Sequence, residues 1–218
     1  MVDLVLRVLA AYLMGSVNGA LLIGRFRGVD IRTQGSGNAG GTNALRTQGW
    51  AFAIGVIVID VMKAVFAVRW LPTAFSPAQY PAEWLAVACG FAAVCGHVYP
   101  VFHGFRGGKG VATVLGTLLA LSTPLLLGLL AIWLVMMFVF GFVGLGSMVA
   151  AASLPILVQV GAARGWLAPE EVMPLTVFGA VCAAFVIWTH RSNVARMRAG
   201  TEPRARKLWL LGRWQERR

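Results

Sequence analysis

Apolar residues fall in blocks too long for a soluble core. A transmembrane helix needs about 20 apolar residues. The chain offers such runs at 4–24, interrupted by Arg7, at 50–71 and at 84–102. From Gly110 to Val143 come 34 nearly unbroken apolar positions. As one helix these would measure about 51 Å, against a bilayer core of about 30 Å. Ser122-Thr123-Pro124 is the natural break, because proline disfavours helix in the residue before it. Two helices are therefore expected there, the first of them short. Two more runs follow at 145–160 and 172–188. The pattern predicts an all-α, polytopic membrane helix bundle with seven transmembrane helices. A five-span arrangement with re-entrant pieces is the alternative. The first run does not read as a signal peptide: Asp3 and Arg7 share its start, and no small-x-small cleavage site follows.

Composition agrees with the pattern. Hydrophobic residues make up 58% of the 218, and charged residues only 12%. A soluble domain carries about 25% charged residues, so both a soluble domain and a disordered chain are excluded. The net charge of +11 would suggest nucleic acid in a soluble protein. Here the basic residues cluster between the apolar runs, so no nucleic-acid partner is expected. Arg25, Arg27, Arg32 and Arg46 follow the first span, Arg106 and Lys109 the third, and nine Lys/Arg the seventh, beside Glu202 and Glu216. The link at 76–83 has no basic residue. The positive-inside rule then puts the N-terminus outside and the C-terminus in the cytoplasm. One membrane domain over 1–218 is expected, with a basic cytoplasmic tail from about 191 against membrane lipid. Cys89, Cys95 and Cys182 lie within apolar runs and read as small hydrophobes, not a disulfide framework.

Three polar stretches do not read as ordinary loops. The first is Gly35-Ser36-Gly37-Asn38-Ala39-Gly40-Gly41-Thr42-Asn43, followed by Arg46. Glycines let backbone N–H groups converge on an anion, and an arginine fork suits phosphate. A flexible turn is the plain alternative. The second runs from Gly96-His97 to Gly107-Gly108-Lys109-Gly110-Val111-Ala112-Thr113. It is not a Walker A loop, which would need glycine at His103 and serine or threonine at Gly110. It does open an apolar helix, where free N–H groups and the dipole favour phosphate. A positive-inside anchor is the alternative. The third runs from His190 through Arg191, Asn193, Arg196 and Gly200 to Glu202. On a continuing helix His190 and Asn193 share a face. A basic collar on lipid headgroups explains it equally well. All three stretches fall on the same side of the expected topology, which suggests a single pocket for a small anion.

Within the second span, Asp60 and Lys63 stand at i, i+3 and can pair; a role in the site is the alternative. Ser16, Asn18 and Ser147 either line a polar pocket or aid packing. No histidine or cysteine spacing suggests a metal. No GxSxG elbow occurs, and no His is followed five residues on by Asp. An enzyme built this way suits a strongly activated donor, with anion positioning supplying most of the catalysis.

The three stretches resemble the three motifs of the bacterial integral-membrane acyl-phosphate:glycerol-3-phosphate acyltransferase family. Gly35 to Arg46 is similar to GSGNxGxTNxxR, Gly96 to Thr113 to GHxxPxFxxFxGGKGVAT, and His190 to Glu202 to HRxNxxRxxxGxE. The resemblance implies acyl transfer from acyl-phosphate to the 1-hydroxyl of glycerol 3-phosphate, giving lysophosphatidic acid and phosphate. That would be the first acylation of bacterial phospholipid synthesis. It implies no metal, no cofactor and no acyl-CoA. It also implies a location in the cytoplasmic (inner) membrane with the site on the cytoplasmic side. A monomer is expected, at most loosely associated with the enzyme that forms acyl-phosphate.

Carried onto this chain, the resemblance marks Ser36, Arg46, Lys109, His190 and Asn193 as catalytic. Gly37, Asn38, Thr42, Asn43, His97, Gly107, Gly108, Gly110 and Ser147 are expected to bind substrate. Asp60, Lys63 and Glu202 are expected to be structural. The chain departs from the family at Gly41, at Ala64, and at 141–144, which lacks a Thr-Arg-Tyr. With no His–Asp pair, a substrate phosphate is expected to take the acceptor proton, with His97 or His190 as the competing base. Two other classes fit parts of the chain: a transporter of a small phosphorylated solute or lysophospholipid, and a non-catalytic anchor that recruits enzymes through its tail.

Overall fold

The computed structural model describes residues 2–74 and 80–211. The link at 76–83 lies partly outside these, and Glu216 and the last three basic residues wholly so. The described residues are helical and contain no strand. The chain divides into two compact units, Met1–Leu121 and Ser122–Arg218.

The first unit holds α1 (Val2–Gly15), α2 (Gly19–Phe26), α3 (Gly41–Gln48), α4 (Trp50–Trp70), α5 (Ala82–Val98) and α6 (Val111–Leu121). The run at 4–24, expected as one helix, is instead broken, with α1 and α2 bent by 47°. Asn18 supplies the reason. Its side-chain oxygen accepts from the N–H groups of Ala20 and Leu21, each at 3.1 Å, and so starts a new helix. Arg7, which interrupts the first apolar run, is fully buried. It pairs with Asp3 at 2.9 Å and donates to the carbonyls of Leu71 and Pro72 at the end of α4. Small residues of α1, α4 and α5 form one apolar cluster: Ala11, Ala67, Cys89, Ala92 and Ala93. A second lies beneath the first polar stretch, with Ala39, Ala44, Phe52 and Val56.

The second unit holds α7 (Thr123–Phe140), α8 (Val143–Ala163), α9 (Pro169–Thr189) and α10 (Arg191–Arg198). The break expected at Ser122-Thr123-Pro124 is present, with Pro124 in the first turn, where its missing N–H costs nothing. Only 17% of the apolar window of α7 is buried, as suits a helix facing lipid. Gly141 ends α7 with φ +72°, a conformation that favours glycine. The tail folds back onto this turn. Ala205 N donates to the Gly141 carbonyl (2.8 Å), Trp209 Nε1 donates to the Val139 carbonyl (3.0 Å), and the Trp209 side chain lies where a Cβ at Gly141 would be. The Arg204 guanidinium lies over the Phe142 and Trp209 rings, at 4.7 and 3.9 Å. The described part of the basic tail is thus anchored to protein.

Among the described residues five helices are long and apolar enough to cross a membrane, or six if the bent pair α1 and α2 counts as one span. α6 is apolar but has only 11 residues, about 17 Å of helix.

Candidate active site

The first polar stretch is organised from within. Asn43 is buried on α3, and its amide is fully engaged by the loop that precedes it. Its oxygen accepts from Ser36 N (2.9 Å), and its nitrogen donates to the carbonyls of Ile31 (3.2 Å) and Gln34 (3.0 Å). Asn43 was expected to meet substrate. It is placed to shape the loop, because a side-chain amide can mimic a turn of backbone. The loop then presents Ser36, Gly37 and Thr42 at the surface, with Asn38 half-buried and Arg46 exposed one turn along α3. Asn18, which caps α2, also donates to the Ala39 carbonyl (3.1 Å) and so ties the loop to the bend in the first span.

The second stretch passes directly beside the first. Arg32 pairs with Asp30 at 2.8 Å and reaches the carbonyls of His103 (3.0 Å) and Arg106 (3.4 Å). The Arg32 hydrogen bonds hold the Asp30 carboxyl below its ordinary range. Arg32 was not singled out from sequence, and no local spacing could show a partner some seventy residues away. A cleft of about 270 Å³ opens here between Arg25, Arg32 and His103, and none of the expected site residues lines it.

Gly107 N and Gly108 N donate to the carbonyls of Val98 and His97, each at 3.1 Å. These two amides were expected to face an anion. They are instead used to fold the loop back on α5. The amides of the first turn of α6, ahead of the Val114 N to Gly110 carbonyl bond (2.9 Å), keep the geometry of a helix N-terminus. Lys109 is half-buried at that end, and Gly110 has φ +87°. Gly108 admits no side chain, because His97 Nε2 and the Ala39 carbonyl occupy the space a Cβ would need. Glycine at 108 therefore lets the two stretches meet over the His97 ring.

Beneath that meeting point lies a buried ionic group. Asp60 and Lys63 are 1% and 7% exposed, and His97 2%. The pair expected at i, i+3 forms, with Lys63 Nζ 2.9 Å from Asp60 Oδ1. Lys63 also donates to the Val17 carbonyl (3.0 Å) and lies 3.0 Å from His97 Nδ1. Asp60 Oδ1 accepts from Gly19 N (3.0 Å), which fastens α4 to the bend between α1 and α2.

The third stretch lies in the second unit. The helix does not continue through it: α9 ends at Thr189, and His190 joins α9 to α10. The relation of His190 to Asn193 survives as a backbone bond, Asn193 N to the His190 carbonyl (2.8 Å). His190 Nδ1 lies 2.7 Å from the Val186 carbonyl. Asn193 Nδ2 donates to Glu202 Oε1 (2.6 Å), and Arg196 Nε pairs with Glu202 Oε2 (2.7 Å). Gly144 of α8 packs against the Asn193 side chain. Ser147 is buried and donates to the Val143 carbonyl of its own helix (2.9 Å).

These features define a multi-pass helical membrane protein whose glycine-rich loops and basic side chains are suited to phosphate. The family model for glycerol-3-phosphate acyltransferase matches residues 5–200. A glycerol-3-phosphate acyltransferase of Gloeobacter violaceus is 40% identical over 196 residues, 89% of this chain and 91% of its own length. One of Thermosynechococcus vestitus is 42% identical over 207 residues, 91% and 93% of the two chains. Crystal structures of PlsY (YgiH), an integral membrane glycerol 3-phosphate acyltransferase, cover 92% of this chain and 94% of theirs. The glycerol 3-phosphate form is 33% identical with a TM-score of 0.75, and the lysophosphatidic acid form 32% with 0.77. The chain belongs to the glycerol-3-phosphate acyltransferase family and is an acyltransferase.

Proposed function

We propose that this chain transfers a fatty acyl group from acyl-phosphate to the 1-hydroxyl of sn-glycerol 3-phosphate. The products are lysophosphatidic acid and phosphate. The observation that carries the reading is the junction of the first two polar stretches over the buried Asp60–Lys63–His97 group, in a chain of this family. In the reaction the glycerol oxygen attacks the acyl carbonyl and the carbonyl–phosphate C–O bond breaks. The phosphate leaves, and the hydroxyl proton passes to a phosphate oxygen of a substrate. The mixed anhydride is activated already, so the protein's task is to place two anions together and to stabilise the charge that develops.

Arg46 and Lys109 are assigned to the phosphate groups, since they bring positive charge to the two loops. Ser36, Asn38 and Thr42 donate hydrogen bonds, and Gly37 and Gly110 permit the backbone its approach. Asn43, Gly107 and Gly108 shape the loops, and His97 meets substrate at their junction. His190 and Asn193 orient the glycerol hydroxyls, Glu202 fixes Asn193, and Ser147 supports the packing beside it. The chain is read as one membrane domain in the bacterial inner membrane, acting as a monomer, with the site on the cytoplasmic side. Its seven crossings count α1 with α2 as one and include the short α6, with the N-terminus outside and the C-terminus inside. Any association with the enzyme that makes acyl-phosphate is loose.

The test is phosphate release by the purified protein given palmitoyl-phosphate and glycerol 3-phosphate, beside palmitoyl-CoA as donor. Turnover with acyl-phosphate alone supports the reading, and Arg46→Ala and Lys109→Ala then lose it. Turnover with palmitoyl-CoA, or none with a folded protein, defeats it, and uptake of glycerol 3-phosphate into liposomes without turnover would replace it with transport.

A further inference from the structure

The reaction as proposed gives no role to the ammonium of Lys63, yet its placement has a definite consequence for His97. An ammonium has three N–H donors and no acceptor. Those of Lys63 face three oxygen or nitrogen atoms: the Val17 carbonyl at 3.0 Å, Asp60 Oδ1 at 2.9 Å and His97 Nδ1 at 3.0 Å. A nitrogen that faces an ammonium N–H must offer its lone pair, so His97 Nδ1 is the acceptor. The 3.2 Å contact between His97 Nδ1 and Asp60 Oδ1 then joins two acceptors served by one cation. A neutral imidazole with an accepting Nδ1 carries its proton on Nε2.

The location of Nε2 gives that proton a use. Nε2 faces the Cα of Gly108, beside the Ala39 carbonyl, where the first and second polar stretches meet. His97 is 2% exposed, and among the described residues Nε2 has no hydrogen-bond partner. An N–H that the protein leaves without an acceptor can donate to one on a ligand. Resting on the acyl-transfer reading above, we propose that Lys63 acts through His97. The buried ammonium fixes the imidazole with its proton on Nε2, making His97 a hydrogen-bond donor to a substrate phosphate oxygen at the 107–110 loop and not a general base. Lys63 is thus a positioning residue, and Asp60 is the counterion that lets an ammonium reside there. The phosphate can be that of glycerol 3-phosphate or of the acyl donor, since both present the same oxygens.

The full chain labelled with 15N-histidine, in detergent micelles, reports the tautomer directly. His103→Gln and His190→Gln assign the remaining signal to His97. The expected wild-type spectrum shows a protonated Nε2 and an accepting Nδ1. Lys63→Met is expected to move the proton to Nδ1, with Asp60 Oδ1 as the new acceptor. A wild-type proton on Nδ1, or on both nitrogens, overturns the proposal whether or not the variant folds.

Kinetics test the donor role. His97→Gln retains an N–H near the place of Nε2, and His97→Leu does not. The leucine variant is expected to raise KM for one of the two substrates about ten- to a hundredfold, as loss of a hydrogen bond to a charged group does, with kcat within a few-fold. The substrate whose KM moves identifies the phosphate. The glutamine variant is expected to recover most of the loss. An equal collapse of kcat in both variants, with both KM values unchanged, marks a general base and overturns the proposal. Absence of acyl transfer in the wild type defeats the function proposed above, and the tautomer spectrum still tests the Lys63–His97 arrangement by itself.

Discussion

The two units each bury one histidine of the three polar stretches, and the two rings are held in opposite ways. His97 Nδ1 faces the Lys63 ammonium, 3.0 Å away and thirty-four residues distant in sequence. His190 Nδ1 faces the Val186 carbonyl, 2.7 Å away and one helical turn back. A carbonyl only accepts, so His190 carries a proton on Nδ1. The same nitrogen, Nδ1, is therefore an acceptor in the first unit and a donor in the second. The partner's type decides the proton, and the two partners come from different levels of structure. His190 is oriented by the end of its own helix, and His97 by a second helix packed against it.

The surroundings differ in the same sense. Asp60 and Lys63 are buried ions, whereas the Arg196–Glu202 pair leaves the Arg196 side chain 31% exposed. Lys63→Met strips the partner from a buried carboxylate and is expected to cost about 3–5 kcal/mol. Asp60→Asn with Lys63→Met removes both charges and should recover a large part of that. Thermal unfolding in detergent measures both, and equal melting of the single and double variants would break the contrast.

A smaller effect is expected at Glu202. Glu202→Ala releases Asn193 and Arg196 together and is expected to lower acyl transfer about tenfold, with a stability loss of about 1–2 kcal/mol. Raised salt should weaken the half-exposed Arg196–Glu202 pair and leave the buried Asp60–Lys63 pair intact. Comparing the melting of Glu202→Ala and wild type across salt concentration tests this: the gap between them should narrow.

Trp209→Ala should release the tail from the Gly141 turn at a cost of about 1 kcal/mol or somewhat more, chiefly the indole hydrogen bond and the ring's stacking with Arg204. Limited trypsin digestion is the readout, with faster cleavage after Arg204 and Arg206 and little change in turnover. Unchanged digestion would mean that the tail is held elsewhere.

The smallest effect belongs to Asp30 and Arg32, an ion pair at the surface of the first unit. The Asp30 carboxyl is held below its ordinary value of 3.8 by the Arg32 hydrogen bonds. A lowered carboxylate pKa adds stability that is complete above the unfolded value and is lost as pH falls through the folded one. The pair is largely exposed, so solvent screening limits it to about 1 kcal/mol or less. Wild type and Asp30→Asn should differ slightly at pH 6 and converge as pH falls through the lowered folded value of the carboxyl. A difference that grows on acidification would contradict the pairing.

Several parts of this protein were legible one residue after another. Long apolar blocks cannot be hidden in a core of this size, so a membrane bundle followed from hydropathy alone. Pro124 marked the break before α7, and the i, i+3 spacing of Asp60 and Lys63 marked their pair, because helix geometry is local. The three polar stretches pointed to an anion and to a family for the same reason: their chemistry is written in consecutive residues.

What local reading left open depended on atoms far apart in the chain. The first apolar run looked like one helix because hydropathy does not register that the Asn18 side chain can take over backbone N–H groups. Asn43 and the amides of Gly107 and Gly108 looked available to substrate because only the folded loops show that their hydrogen bonds are already used. Arg32 read only as a charge on one side of the membrane because its carbonyl partners lie on another segment. Composition and pattern, which count residues, determined the membrane bundle and its class of chemistry. Tertiary structure decided which donors remain for a ligand and where the His97 proton resides, because a hydrogen bond is settled by the group that faces it, and for His97 that group is on another helix.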